Sequence, residues 1–207
     1  ALEWLGKWSM HDVLVLSPGA APIRPELPGI DLPGVFSVRS IPDTREIRGW
    51  ITQKGAKQAV VAGGGFIGLE MAENLRHFGL DVALLEAGPQ LMPAMDAEMT
   101  APLKKHLQKH GIDIRLNTPL AGIAAKNGQL VVNDAIETDL VILGLGVRPE
   151  TTLAKAAGLT LGKRGGIAVD AQMRTSDPAI YAIGDAVEVR DVITGSDTLL
   201  ALSGPAN

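Results

Sequence analysis

Residues 59–86 read AVVAGGGFIGLEMAENLRHFGLDVALLE, and the reading of this stretch decides the fold. Ala59 to Ala62 is a short uncharged apolar run ending at glycine, the pattern of a buried strand. Ile67, Met71, Leu75 and Phe78 then recur at helical spacing, and Gly79 is placed to stop that helix. Val82 to Leu85 is a second apolar strand. A strand, a helix and a strand in this order make a parallel unit with a right-handed crossover. Between the first strand and the helix lies Gly63-Gly64-Gly65-Phe66-Ile67-Gly68, a GxGxxG. In that context each glycine has a reason: Gly63 for the tight turn, Gly65 for close approach of a pyrophosphate, Gly68 for helix packing on strand. The helix N-terminus offers free N–H groups and the positive end of its dipole. Glu86 ends the second strand, 18 residues after Gly68, where a carboxylate accepts hydrogen bonds from a ribose. Such an acid repels a 2′-phosphate, and no Arg lies in the loop from Ala87 to Asp96, so NADH is expected in preference to NADPH.

Downstream, Asp96 or Thr100 can cap a helix presenting Met99, Leu103 and Leu107 and ending at Gly111. Ile112, Ile114 and Leu116 alternate as a third strand. Runs 122–125 and 130–132 flank an Asn127-Gly128 hairpin turn, and Leu140 to Leu143 is a further buried strand. The expected fold is therefore α/β, a Rossmann-like doubly wound parallel sheet with a small antiparallel β insertion. Upstream, Val13 to Leu16 reads as a strand, followed by Pro18, Pro22, Pro25, Pro28 and Pro33, an extended link. After residue 149 come a helix around Thr152 to Ala157, a short strand at Ile167 to Val169, and an apolar run from Ile180 to Ile183 that stops at Gly184-Asp185.

Composition narrows the function. The 207 residues are 46% hydrophobic and 20% charged, a globular balance. No window holds the roughly 18 uncharged apolar residues of a membrane helix, and the expectation is a cytoplasmic protein without a membrane partner. A net charge of −4 with 3% aromatic residues leaves neither a phosphate-neutralising face nor a stacking platform, so nucleic acid is not an expected partner. With no Cys in these residues, thiolate nucleophiles, CxxC motifs and thiolate zinc sites are all excluded from them. His106 and His110 stand four apart on the expected helix, but Lys104, Lys105 and Lys109 surround them, so a solvated basic face is expected and no metal site.

These residues resemble the FAD- and NAD(P)-dependent pyridine nucleotide-disulfide oxidoreductases. AVVAGGGFIGLEMAENL (59–75) is most similar to the branch with coenzyme A-disulfide reductases, NADH oxidases and NADH peroxidases. HDVLVLSPGAAPIRPELPGI (11–30) resembles the strand, turn and proline link that leave the flavin domain. LGLGVRPETTLAKAAGL (143–159) resembles the close of the NAD domain, TSDPAIYAIGDAVEV (175–189) the flavin-binding signature, and LSGPAN (202–207) the approach to a dimerisation domain. The resemblance implies the end of a first FAD-domain segment with its link at 1–34, an NAD(H)-binding domain at 35–149, and the start of a second FAD-domain segment at 150–207. It implies that Gly63, Gly65 and Gly68 hold the NADH pyrophosphate, with Gly64 and Ile67 also at the NAD, Glu86 on the adenosine ribose and Gly144 and Gly146 as a backbone wall. Phe66 matches the aromatic cover of the nicotinamide pocket, Glu70 an acid beside it, and Gly184 and Asp185 the turn whose carboxylate meets the FAD ribityl chain.

The family's first GxGxxG, its redox-active Cys and its dimerisation domain have no counterpart here, which implies a central piece of a longer, homodimeric enzyme. The expected activity is passage of hydride from NADH to FAD and on to a disulfide, peroxide or dioxygen, with no catalytic residue in this piece and no turnover by it alone. A cysteine-independent ferredoxin- or rubredoxin-type reductase and a non-catalytic NAD-binding module are the alternatives.

Overall fold

A computed structural model describes residues 12–201, together with the backbone of the strands Leu2–Trp4 and Lys7–Ser9 before them. LSGPAN lies outside the described residues. In chain order the elements are β1 (Leu2–Trp4), β2 (Lys7–Ser9), β3 (Leu14–Leu16), β4 (Ala20–Pro22), β5 (Val35–Ser37), α1 (Ile41–Lys54), β6 (Gln58–Ala62), α2 (Phe66–His77), β7 (Asp81–Leu85), α3 (Ala97–Lys109) and β8 (Ile112–Arg115). There follow β9 (Ile123–Lys126), β10 (Gln129–Val132), β11 (Ile136–Thr138), β12 (Leu140–Leu143), β13 (Val147–Pro149), α4 (Thr152–Ala156), β14 (Ile167–Ala168), β15 (Ile180–Ala182), β16 (Val187–Arg190) and β17 (Asp197–Thr198). They fall into two compact units, Pro22–Gly146 and Ala1–Ala21 with Val147–Asn207.

The first unit is built on a five-stranded sheet in the order β5-β12-β6-β7-β8, with every pairing parallel. Both faces of a parallel sheet must be covered, which is why β6 and β12 are almost uninterrupted apolar runs. On one face Val61, Leu84, Leu140 and Ile142 pack under Ile47 and Ile51 of α1, Ala72 and Leu75 of α2 and Leu107 of α3. Those four sheet residues are wholly buried, each contributing roughly 1.5–3 kcal/mol by leaving water. On the other face Val60, Val141 and Leu143 meet Ile123, Leu130 and Val132 of the antiparallel sheet β9-β10-β11. The second half of the proline link belongs to this unit. Arg24 ties it down by donating to the Ile30 carbonyl at 2.7 Å and to Ser37 Oγ at 3.2 Å, and the Ile123 N–H donates to the Pro28 carbonyl at 2.8 Å.

Three details go beyond the sequence reading. Helix α1 was not foreseen, although its ends are marked: Asp43 accepts from the N–H groups of Arg39 (2.9 Å) and Ser40 (2.8 Å), Pro42 lies in its first turn, and Gly55 closes it at φ 61°. Those backbone bonds from Ser40 and Arg39 hold the Asp43 carboxyl below its ordinary value. The antiparallel insertion has a third strand, β11. The buried stripe of α2 is Gly68, Ala72 and Leu75, whereas Phe78 is 56% exposed, with the Arg48 guanidinium 5.9 Å from its ring centre.

Asp139 pins the start of β6. Its Oδ2 accepts from Lys57 N (2.7 Å) and Gln58 N (2.9 Å), and Oδ1 from Gln129 Nε2 (3.2 Å). Partial burial raises the carboxyl pKa, but the two backbone bonds and Gln129 outweigh it, and the net shift is downward. A depressed folded pKa gives stability that is present above the unfolded value of about 3.9 and is lost as pH falls through the folded value. We therefore expect Asp139→Ala to cost about 1–2 kcal/mol at pH 7 in urea unfolding, with the difference from wild type shrinking below about pH 3.

In the second unit β1 and β2 pair antiparallel, β3 and β15 pair parallel, β4 and β13 pair, and β14-β16-β17 form a small sheet. Its core is Ala154, Leu159, Ile167, Ala182, Ala186 and Val187. Among the described residues β3 pairs only with β15, and Val13 and Val15 are 56% and 54% exposed.

Candidate functional site: the glycine turn at the sheet's carboxyl edge

The strand ends of β6, β7 and β12 bring Gly63, Glu86 and Gly144 to one edge of the sheet. Gly63 leaves β6 at φ 110°, a conformation that L side chains rarely adopt. Its N–H donates to the Leu85 carbonyl at 2.7 Å, and Gly144 N donates to the Ala62 carbonyl at 2.7 Å, so the turn is stitched to both neighbouring strands. A Cβ on Gly68 would collide with the Gly63 carbonyl oxygen, and a Cβ on Gly144 would come within 2.9 Å of the Gly68 Cα. These glycines let α2 begin directly against the sheet.

Gly65 differs. It caps α2 in ordinary extended geometry (φ −85°, ψ −174°), and a Cβ built there meets no atom of the described residues within 4 Å beyond its chain neighbours. Protein packing therefore gives no reason for glycine at this position. The helix it opens has no acidic residue in its first turn and no side chain bonded to its N-cap, in contrast to α1, whose first turn holds Asp43. The N–H groups at the start of an α-helix have no partner within the helix, so α2 presents donors and a positive dipole end beside an open space. That is the donor set of an anion cradle, and it fits a dinucleotide pyrophosphate. Phe66, in the first turn, is 66% exposed; Ile67 is half-buried, and Glu70, one turn on, is exposed.

Glu86 is half-buried and engaged at both oxygens: Oε2 accepts from Gly64 N at 2.6 Å and Oε1 from Gly88 N at 2.7 Å. The following loop closes over the turn. Met92 N donates to the Gly64 carbonyl at 2.9 Å, and Leu91 is buried beside it. Met92 itself is 5% exposed in the left-handed region at φ 50°. The segment after β8 supports the same loop, with Asn117 N donating to the Gly88 carbonyl (2.9 Å) and Thr118 N to the Glu86 carbonyl (2.8 Å). The sequence reading missed Met92, whose residue type carries no mark of positive φ, and Asn117, for which an asparagine at φ 52° is the available mark.

Gly146 follows the end of β12, exposed, at φ 96°. Gly184 and Asp185 belong to the other unit. Gly184 (φ 76°) opens a single 3₁₀ turn to Ala186, after the Ile183 N–H has bonded the Leu16 carbonyl at 3.0 Å, and Asp185 is half-buried there. His106 and His110 are exposed with ring centres 4.3 Å apart, and among the described residues no group of three or more His, Asp or Glu is arranged to hold a metal ion. No helix among them is long and apolar enough to cross a membrane.

Comparison with known proteins agrees with this architecture. The chain is 46% identical over 193 residues to an NADH oxidase of Methanocaldococcus jannaschii, an alignment covering 91% of this chain and 43% of that one. It thus spans less than half the length of that relative. Its structure superposes on reduced CoADR-RHD of Bacillus anthracis with a TM-score of 0.89 at 46% identity, covering 95% of this chain and 36% of that one. The water-forming NADH oxidase of Lactobacillus brevis bound to NADH gives 0.87 at 32%, covering 96% and 44%. Residues 8–198 match the family model described as pyridine nucleotide-disulphide oxidoreductase, and the chain belongs to that family.

Proposed function

We propose that this chain is the NAD(H)-binding part, with portions of the FAD-binding part, of a flavoprotein oxidoreductase that passes hydride from NADH to FAD and on to a disulfide, peroxide or dioxygen. The observation that carries the reading is Gly65, whose missing side chain is unexplained by the fold and leaves the uncapped start of α2 open to a phosphate. When bound, NADH supplies the hydride and FAD accepts it. The chain's own residues bind and orient. The first-turn N–H groups of α2 hold the pyrophosphate, Glu86 accepts from the adenosine ribose, and Gly144 and Gly146 form a backbone wall beside the cofactor.

Phe66, exposed at the start of α2, covers the nicotinamide pocket, and Glu70 stands beside it. In the other unit Gly184 and Asp185 meet the FAD ribityl chain. The exposed Val15 of β3, a strand with one partner among the described residues, and Val13 just before it form the face that further flavin-domain residues cover; apolar strand faces are rarely left to water. A cysteine-based acceptor centre comes from residues other than these 207. A homodimeric parent in the cytoplasm completes the reading and rests on the family resemblance.

Calorimetric titration of the chain with NADH and NADPH tests the proposal. We expect NADH to bind, NADPH to bind at least about tenfold more weakly because of the Glu86 charge, and added FAD to produce no NADH oxidation. Binding of neither nucleotide would defeat the dinucleotide reading; turnover with FAD would defeat the assignment of this chain as an incomplete enzyme.

A further inference from the structure

We infer that Glu86 is a positioning residue for the glycine turn as well as an acceptor for ribose, and that with the loop from Gly88 to Met92 it forms a clasp holding the Gly64 peptide in its phosphate-receiving geometry. The inference rests on the dinucleotide reading above and extends it to how nucleotide preference is set. Both polar groups of Gly64 are taken by this clasp. Its N–H donates to Glu86 Oε2 at 2.6 Å and its carbonyl accepts from Met92 N at 2.9 Å. The space beside its Cα is closed as well, because a Cβ there would lie 2.8 Å from Leu91 Cδ2 and 3.0 Å from Glu86 Oε2.

The second carboxylate oxygen, Oε1, binds Gly88 N at 2.7 Å, so a single side chain bridges the turn and the loop. The loop is held in return. Asn117 N bonds the Gly88 carbonyl, and Met92 keeps its rarely occupied φ of 50° while buried at 5% exposure.

A carboxylate has about four lone-pair positions, and the two backbone N–H groups occupy two of them. Two remain, one on each oxygen, which matches the two vicinal hydroxyls of a ribose. The acid therefore does two things through opposite sides of one group. Removing its charge takes away repulsion of a 2′-phosphate, but it also frees Gly64 at the point where the pyrophosphate must lie. Substitution of Glu86 is consequently expected to lower affinity for NADH and NADPH alike instead of exchanging one for the other.

Glu86→Gln separates the two roles. Its amide oxygen still accepts from a ribose hydroxyl, whereas its NH₂ group, whichever way the amide is turned, faces one of the two N–H donors and breaks that bond. The measurement is hydrogen exchange by NMR on the full chain without nucleotide, followed by calorimetric titration with NADH and NADPH. In wild type the Gly64 and Gly88 amides should be protected, in contrast to Gly65 and Phe66, whose amides have no acceptor among the described residues. In Glu86→Gln at least one of the Gly64 and Gly88 amides should exchange about tenfold faster or more, with amides of Val60 and Leu84 unchanged as evidence that the sheet is intact.

NADH affinity should fall about tenfold, and NADPH affinity should not rise above that of wild type. Unchanged exchange, or retained NADH affinity with a rise for NADPH, would overturn the clasp and leave simple charge repulsion. Wild-type protein that shows the expected exchange pattern but binds neither nucleotide would overturn the dinucleotide reading and leave the clasp as a device of the fold. Because the wild-type contrast between Gly64 and Gly65 needs no substitution, the inference stays testable if the variant folds poorly.

Discussion

Replacing Gly68 by Ala should destabilise the Pro22–Gly146 unit by about 3 kcal/mol or more and abolish nucleotide binding with it. The added methyl meets the Gly63 carbonyl oxygen, and the Gly63 carbonyl carbon lies 2.9 Å away. Backbone cannot swing aside as a flexible side chain does. Relief requires α2 to move off β6, which opens the packing of Ala72 and Leu75 on Val61 and Leu84. Cores close-packed in this way tolerate little added volume. Urea unfolding followed by circular dichroism should show a lower midpoint, and a thermal scan should show Tm lower by about 10 °C. A midpoint within experimental error of wild type would mean that α2 does not depend on this close approach.

Gly65→Ala, three residues earlier in the same motif, should do the reverse. Its φ of −85° suits alanine and its Cβ meets only open space, so stability should stay within about 1 kcal/mol of wild type. The reduced freedom of the unfolded chain favours the variant, and the poorer N-cap opposes it. Binding is where the change should register. The methyl stands where a pyrophosphate approaches the first turn of α2, and NADH affinity should fall at least about tenfold, roughly the effect of holding the phosphates one van der Waals radius off their donors. Undiminished affinity would remove the ligand explanation for this glycine. The two substitutions are chemically the same change, so any difference between their effects belongs to the surroundings of each position.

Much of the architecture is legible in particular residues. The apolar runs at 59–62, 82–85 and 140–143 became β6, β7 and β12, and Asn127-Gly128 turns β9 into β10 with both residues at positive φ (52° and 84°). Helix α1 is hard to read from the sequence because only Ile47 and Ile51 of its 14 residues are buried, which leaves a weak apolar stripe; the capping residues Ser40, Pro42 and Asp43 are the available signal. On α2 the periodic large residues drew attention to Phe78, while the sheet in fact takes the small ones, Gly68 and Ala72, because the helix starts so close to β6. The sequence marks Glu86 as a strand-end acid placed for a ribose, and its two bonds to Gly64 and Gly88 leave no trace there, since both partners are set by the turn and loop geometry.

By itself the sequence determined that this chain forms an α/β sheet unit with a glycine turn between strand and helix. Hydrophobic periodicity and the conformational restrictions of Gly and Pro act over a few neighbouring residues and need no distant partner. Tertiary structure alone decided which glycines serve the fold and which leaves an opening, since the neighbour that matters for Gly68 is the Gly63 carbonyl and for Gly65 is empty space. It alone placed Met92 at φ 50° over Gly64 and set Asn117 against Gly88. Those contacts join residues 28 or 29 positions apart, brought together by the parallel pairing of β6, β7 and β8. Local sequence preference carries no record of such a meeting, because the strand pairing that creates it depends on the whole core.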